Sequence, residues 1–457
     1  MPDIHVVVLA AGKGTRMKSQ VPKVLHAAGG RPLIEHALRA AESLSPASII
    51  VIVGHQAESL KAGVRKRPGL DFAVQEPQLG TGHALLQAEP LLQGASGTVV
   101  LLSGDVPLLR PSTLAALVET HRRGHAAATI VTAVVANPAG YGRIVRHEGR
   151  IASIVEHKDA SAAEREIREI NSGVYAFDLA PLFGALREIG SSNAQREYYL
   201  PDLVTIYRRR GLPVESVTLG DPREIMGVND RKELAQVASI LKEQKNEELM
   251  AAGVTLIDPA TAFIGPDVTI GADTVIQPNV YLEGSTRIGA RCVIHSGVRL
   301  VNSTVDDGAI INNFCVIIDS HISSDAQVGP FAHLRPQSDV GVDARVGNFV
   351  ELKKTSLGRG SKAQHLTYLG DATIGEKVNI GAGTITCNYD GRTKSPTIIE
   401  DGAFIGSDSQ LVAPVRVGHG AYVAAGSSIT SDVPADALAI SRGRQVNKPG
   451  WAAKRRK

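Results

Sequence analysis

A six-residue period runs through the second half of this 457-residue chain and limits what that half can become. Ile264, Ile270, Ile276, Leu282, Ile288, Ile294 and Leu300 stand six apart, and four residues after each comes Val268, Thr274, Val280, Thr286, Cys292, Val298 or Thr304. The second series continues in step through Ile310, Val316, Ile322, Val328, Leu334, Val340 and Val346, which makes fourteen hexads in phase. After "TCNYDGRTKSP" another train resumes at Ile399, Ile405, Leu411, Val417, Val423 and Ile429. One hexapeptide turn is too small to bury its own apolar side, so stacked turns must share a core, and the repeat predicts a parallel β-helix. Ordinary alternating strands have period two and would not skip to every sixth position. The interruption is expected to leave the coil as a loop.

The first 229 residues have another texture. Short β-branched runs ("IHVVVL", "SIIVIV", "TVVLLSGD", "ATIVTAVV", "SGVYAF") alternate with helical stretches such as "RPLIEHALRAAESL". Such alternation argues for an α/β fold, a mostly parallel sheet with helices on both faces and ligands at the carboxyl ends of the strands. Between the halves, Asp230 offers an N-cap with Glu233 three residues on, and Leu234, Val237 and Leu241 recur at helical spacing. The expected organisation is a domain over 1–229, a linker helix over 230–250 and a β-helix over 251–457.

Composition excludes several classes of function. Forty-nine basic against 46 acidic residues leave a net charge of +3, without the concentrated basic stripe and stacking aromatics of a nucleic-acid binder. The closing "WAAKRRK" reads as a solvated tail. Cys292, Cys315 and Cys387 are an odd set without C-x-x-C spacing, which suggests neither a disulfide framework nor a zinc site. There is no basic leader and no apolar run long enough to span a bilayer, so a cytoplasmic protein is expected.

The chemistry begins at "VVVLAAGKGTRMKSQVPK". A dinucleotide fingerprint would need glycine where Met17 stands, and a Walker loop would need Gly-Lys-Ser/Thr, which does not follow. A glycine-rich turn leading from a strand into a helix can still hold phosphate through backbone N–H groups, with Arg16 and Lys23 as cations. "QEPQLGTGHA" adds a second such turn at Gly80 and Thr81. "SGD" places Asp105 at a strand end, where it can hold Mg²⁺ or cap a helix ahead of "PLLRPSTL". In the other half, residues 347–391 pack Glu351, Lys353, His365, Tyr368, Asn379, Asn388 and Tyr389 together, whereas a coil serving only as scaffold would scatter its departures from the repeat.

"LAAGKGTRM" with Pro22-Lys23, "QLGTGHA" and "SGDVPL" resemble the sugar-nucleotidyltransferase superfamily. With "AGYGRI", "IVEHKDA", "EINSGVYAF", "NAQREYYLPD" and "GVND", essentially the whole chain resembles the bacterial bifunctional N-acetylglucosamine-1-phosphate uridylyltransferase/glucosamine-1-phosphate acetyltransferase family. The resemblance implies a Rossmann-like nucleotidyltransferase domain followed by a left-handed parallel β-helix. It implies uridine and phosphate contacts at Leu9, Ala10, Ala11, Gly12, Lys23, Gln75, Gly80 and Thr81, flanked by Ser103 and Gly104 at the metal-bearing strand end. Sugar contacts fall on Gly142 or its neighbour Gly140, on Glu156 and on Asn171, and Mg²⁺ on Asp105 and Asn229. Lys23 and Arg16 would neutralise charge as the sugar 1-phosphate attacks UTP.

For acetyl transfer the resemblance implies His365 as the base, with Glu351 close enough to orient or charge-balance it. Arg335 and Lys353 would hold the sugar phosphate, and Tyr368 and Asn379 the sugar. Ala382, Asn388, Tyr389, Ser407, Ala425 and Arg442 would line the acetyl-CoA site. A homotrimer with acetyl sites between subunits is implied as well, acting on UTP, N-acetylglucosamine 1-phosphate, glucosamine 1-phosphate and acetyl-CoA.

Overall fold

The computed structural model describes residues 3–456. The chain divides into two compact units, the first ending at Leu241 and the second beginning at Lys242. In the first, the apolar runs form β1 (Ile4–Leu9), β2 (Ser48–Val53), β3 (Leu70–Val74), β4 (Thr98–Ser103), β5 (Ala128–Val134), β6 (Arg143–His147), β7 (Arg150–Val155), β8 (Glu169–Asp178) and β9 (Val214–Thr218). Their order is β9-β5-β8-β4-β1-β2-β3, with the β6–β7 hairpin joined to β8. Pairing is parallel from β4 through β1 and β2 to β3 and between β5 and β9. The exceptions are the hairpin and β8, which contains "SGVYAF" and runs antiparallel to β4 and β5.

Alternate residues of β1 and β4 enter opposite core layers, Val7 and Leu101 on one side, Val6, Val8, Val100 and Leu102 on the other. A strand buried on both faces reads as a near-continuous apolar run, as residues 6–8 and 99–102 do. β1 and β4 end level, with Leu9 opposite Ser103, and the Gly104 amide donates to the Leu9 carbonyl at 2.9 Å. That register brings the two loop motifs side by side.

The helix Arg231–Ala251 starts where its cap residues predict, with Asp230 Oδ1 accepting from the Lys232 and Glu233 amides at 2.9 Å. The Glu233 carboxylate reaches back to the amide of Asn229 instead of its cap residue, at 2.6 Å. Leu234, Val237 and Leu241 pack with Leu33, Leu108 and Val228.

The second unit is a left-handed parallel β-helix with sheets of eleven, ten and nine strands, each coil but the last ones adding one short strand to every sheet. Its core is one continuous cluster from Leu249 to Val433. One ladder pairs Ile264, Leu282, Leu300, Ile317, Leu334, Leu352 and Leu369 in sequence, all buried. Eighteen residues separate the first three, but Leu300 to Ile317 and Ile317 to Leu334 are seventeen. The fourteen hexads are therefore not one structural frame. At the corner between the second and third sheets, turns through Asn302 and Asp319, both in left-handed backbone, are each one residue short. Thr304 is exposed and Ile310 and Val316 half-buried, and from Ile322 onward the same series occupies the strand centres. Before the slip it occupies inward turn positions, and afterwards Ser303, Ala309, Cys315 and Ser320 take those over. Both positions face inward and lie two apart, so a slip of two leaves the apolar period intact.

"TCNYDGRTKSP" begins inside the strand Ile385–Cys387 and then leaves the coil, returning at the strand Thr397–Ile399. Asn379 consequently pairs with Phe404, twenty-five residues on. Cys292 and Cys315 are core residues, and burial pushes the Cys315 thiol up to about 11. Among the described residues no helix is long and apolar enough to cross a membrane.

The slip is testable. Ile317→Ala removes a fully buried side chain and should cost about 2–5 kcal/mol. Val316→Ala, at a half-buried site, should cost about 1 kcal/mol or less. Urea unfolding followed by circular dichroism reads both, and equal losses would refute this frame.

Candidate active sites

In the first unit, "AAGKG" follows β1 as extended loop and enters a single 3-10 turn, Thr15–Met17, where the sequence suggested a helix. Gly14 is left-handed (φ 59°), and a Cβ there would lie 2.7 Å from Lys23 Cβ. Glycine is thus required for the loop to pack on Lys23. The Lys23 ammonium bonds the Asp105 carboxylate and donates to Asn229 Oδ1 at 3.2 Å. Asp105 follows β4, and its carbonyl accepts from Val228, which holds the Asn229 segment alongside. Asp105 caps no helix, because the next one, Pro111–Arg123, has Arg110 at its N-cap. Arg16 is exposed within the Thr15–Met17 turn.

Gln75, buried beyond β3, donates from Nε2 to the Gly80 carbonyl at 2.9 Å. Gly80 adopts φ 108° where a Cβ would meet the Tyr198 backbone at 2.8 Å, and Thr81 Oγ1 accepts from the Leu200 amide at 3.2 Å. Gln78 bonds the Ala11 carbonyl and so ties the second turn to the first, a link that sequence reasoning did not anticipate. On the far side of β4, Gly142, Glu156 and Asn171 converge: the Asn171 amide donates to Gly142 at 2.9 Å, and a Cβ on Gly142 would lie 3.3 Å from Glu156 Oε1. Gly140 has open space around it and approaches neither. Burial, then the charges of Asp159 and Asp202, hold the Glu156 carboxyl above the usual carboxylate range, against the pull of Arg143.

In the second unit, the corner between the first and second sheets carries a column with one residue per coil. Leu366 N donates to Asn348 O, Gly383 N to His365 O, Asp408 N to Ala382 O and Gly426 N to Ser407 O. Asn348, His365, Ala382, Ser407 and Ala425 are thereby stacked, at about 4.8 Å per coil. Arg442 closes the series by donating to the Ala425 carbonyl at 2.7 Å. Around the corner, Glu351 and Tyr368 are neighbours in register on the second sheet.

The expected partner of His365 differs from the one found. Its Nδ1 lies 2.9 Å from Asn348 Oδ1, while the Glu351 carboxylate is taken by Arg335 at 3.0 Å. Asn348 stands seventeen residues before His365, directly opposite it one coil earlier, so the coil length was the missing signal. Tyr368 and the buried Asn388 amide meet over Gly370, where a Cβ would lie 2.8 Å from Asn388 Nδ2. Asn379 lies on the first sheet, between Lys362 and Phe404, and Tyr389 is exposed on the loop.

Comparison with known proteins finds family matches in both halves of the chain. The MobA-like NTP transferase domain family matches residues 6–171, the GMPPB C-terminal domain family residues 251–338, and the hexapeptide repeat of succinyl-transferase residues 396–431. The bifunctional protein GlmU of Exiguobacterium sp. is 51% identical over 97% of this chain and 98% of its own. That of Pelobacter propionicus is 50% identical over the full length of both, and that of Brevibacillus brevis 51% identical over 99% and 98%. With half its residues shared from end to end, the chain belongs to the family of the bifunctional protein GlmU, a nucleotidyltransferase and acetyltransferase that acetylates glucosamine 1-phosphate and uridylylates N-acetylglucosamine 1-phosphate.

Proposed function

We propose that residues 1–229 carry uridylyl transfer, that 230–250 link the halves, and that 251–457 carry acetyl transfer, which comes first. The observation supporting the first assignment is the Lys23 ammonium drawn between Asp105, just past the end of β4, and Asn229, just before the Arg231–Ala251 helix. One carboxylate and one amide oxygen already converge on a cation there, which suits Mg²⁺, an ion that keeps water and phosphate in the rest of its shell. When bound, the metal would neutralise phosphate charge. Ala10, Ala11 and Gly12 would offer the triphosphate their backbone, with Lys23 and Arg16 facing it, while Gln75, Gly80 and Thr81 hold the uridine. Gly142, Glu156 and Asn171 would hold the sugar, so that its phosphate oxygen attacks the α-phosphorus and the bond to pyrophosphate breaks. Catalysis of this kind is positioning and charge neutralisation, without a covalent intermediate.

In the second unit, the Asn348 oxygen accepts from His365 Nδ1, which fixes the ring proton there and leaves the Nε2 lone pair outward. Nε2 would take the proton of the glucosamine amine as it attacks the thioester, and the coenzyme A sulfur leaves as thiolate. Arg335 and Lys353 would bind the sugar phosphate as charged donors. Phe314, Phe331 and Phe349 stack at 5.3 and 5.4 Å, exposed beside the His365 column. Such an apolar surface supports a homotrimer with its acetyl sites between copies. The setting is cytoplasmic synthesis of a cell-envelope precursor.

Three outcomes are expected. Asp105→Ala should abolish pyrophosphate release with Mg²⁺ supplied, while thiol release stays within a few-fold of wild type; near-normal uridylyl transfer would refute the metal assignment. His365→Ala should lower thiol release by roughly 10²- to 10⁴-fold and spare pyrophosphate release. An equal fall in both would make His365 structural. Thirdly, if Glu156 binds the sugar as carboxylate, the KM for N-acetylglucosamine 1-phosphate should rise as pH drops through a value above the ordinary carboxylate range. Asp159→Asn removes a like charge and should move that rise to lower pH. An unmoved acid limb would count against it.

A further inference from the structure

The acetyl unit holds a carboxylate that the mechanism above does not use. Asp371 lies at the corner between the second and third sheets, with left-handed backbone (φ 48°) in a turn one residue short. Its side chain is 12% exposed. Oδ2 accepts from Asn388 Nδ2 at 2.5 Å and lies 3.8 Å from Lys353 Nζ, and Oδ1 lies 3.8 Å from Lys354 Nζ. Its carbonyl accepts from the Thr397 amide at 3.1 Å, and its amide donates to the Lys353 carbonyl at 2.9 Å.

These contacts bracket the excursion from the coil. Asn388 is its first residue and Thr397 begins the returning strand, and the Ser395 amide closes the base by donating to the Asn388 carbonyl at 2.9 Å. Between them are Tyr389 and Lys394, which face each other across an isolated bridge. Lys394 stands against Lys353, whose contact and charge lower the Lys394 pKa. Asp371 is the carboxylate that offsets this crowd of ammonium groups. A free acidic side chain would oppose a phosphate ligand, but one held by an amide and facing two lysines fixes where those lysines point.

We propose that Asp371 is a positioning residue for acetyl transfer, pinning both ends of the Asn388–Pro396 excursion and orienting Asn388 and Lys353 toward the substrates. The proposal rests on the acetyl site lying at His365 and Asn388.

Truncation to alanine would add strain at a positive φ, so Asp371→Gly is the first variant. Losing a hydrogen bond to a charged group should lower kcat/KM for acetyl-CoA about tenfold. Pyrophosphate release should be unchanged. Trypsin should cut faster at Arg392 and Lys394, both inside the excursion, but not elsewhere. Asp371→Asn keeps an acceptor oxygen for Asn388 and tolerates left-handed backbone but loses the charge facing the lysines, and should restore loop cleavage to within about two-fold while recovering only part of acetyl transfer. Wild-type acetyl transfer and cleavage in Asp371→Gly would overturn the proposal, as would equal losses in the Gly and Asn variants. His365→Ala in parallel separates the two ideas: if thiol release survives it, the site reading fails, and loop cleavage alone then judges the clamp.

Discussion

Everything distinctive in the second unit follows from coils that cannot bury themselves. A turn of about six residues has no interior, so each coil depends on the next, and parallel pairing in strict register is the way they share a core. Register then does chemical service. Residues far apart in the chain, such as Asn348, His365, Ala382 and Ser407, fall into a column because each occupies one corner of its coil. The side chain at that corner is free of packing duty, since inward positions on either side hold the core. A repeat that fixes the backbone leaves its corners open to polar groups.

The first unit solves a different problem with the same economy of means. Its central strands β1 and β4 are buried on both faces and carry little chemistry along their length, so function collects where they stop. β1 and β4 stop together, which sets a glycine-rich loop against a carboxylate. Lys23 lies between Asp105 and Asn229, and Asn229 is held by the Glu233 carboxylate. The group is thereby anchored by the same capping residues that start the helix.

Sequence reasoning found the strands, the helix cap, the repeat and the loop because each is a local pattern with a local cause. Its frame for the repeat failed at Asn302 and Asp319, where two short turns moved the register without disturbing apolar spacing. Periodicity counts buried positions and does not distinguish one inward position from another. The pairing of Glu351 with Arg335, and of His365 with Asn348, was likewise hidden, because both depend on which residues stand opposite one coil away. An error of one or two in coil length assigns every such neighbour wrongly.

The amino-acid sequence by itself determined that one half is a doubly covered α/β sheet and the other a coil of hexapeptides, since apolar period and glycine placement are properties of the chain alone. It also determined which residue types reach the loops. Only the tertiary structure decided their partners: Lys23 with Asp105 and Asn229 across 206 residues, Gln78 with Ala11, and Asp371 with Asn388. Such contacts are set by register between strands and coils, and register is a sum over every pair in a core, which no short stretch of sequence contains.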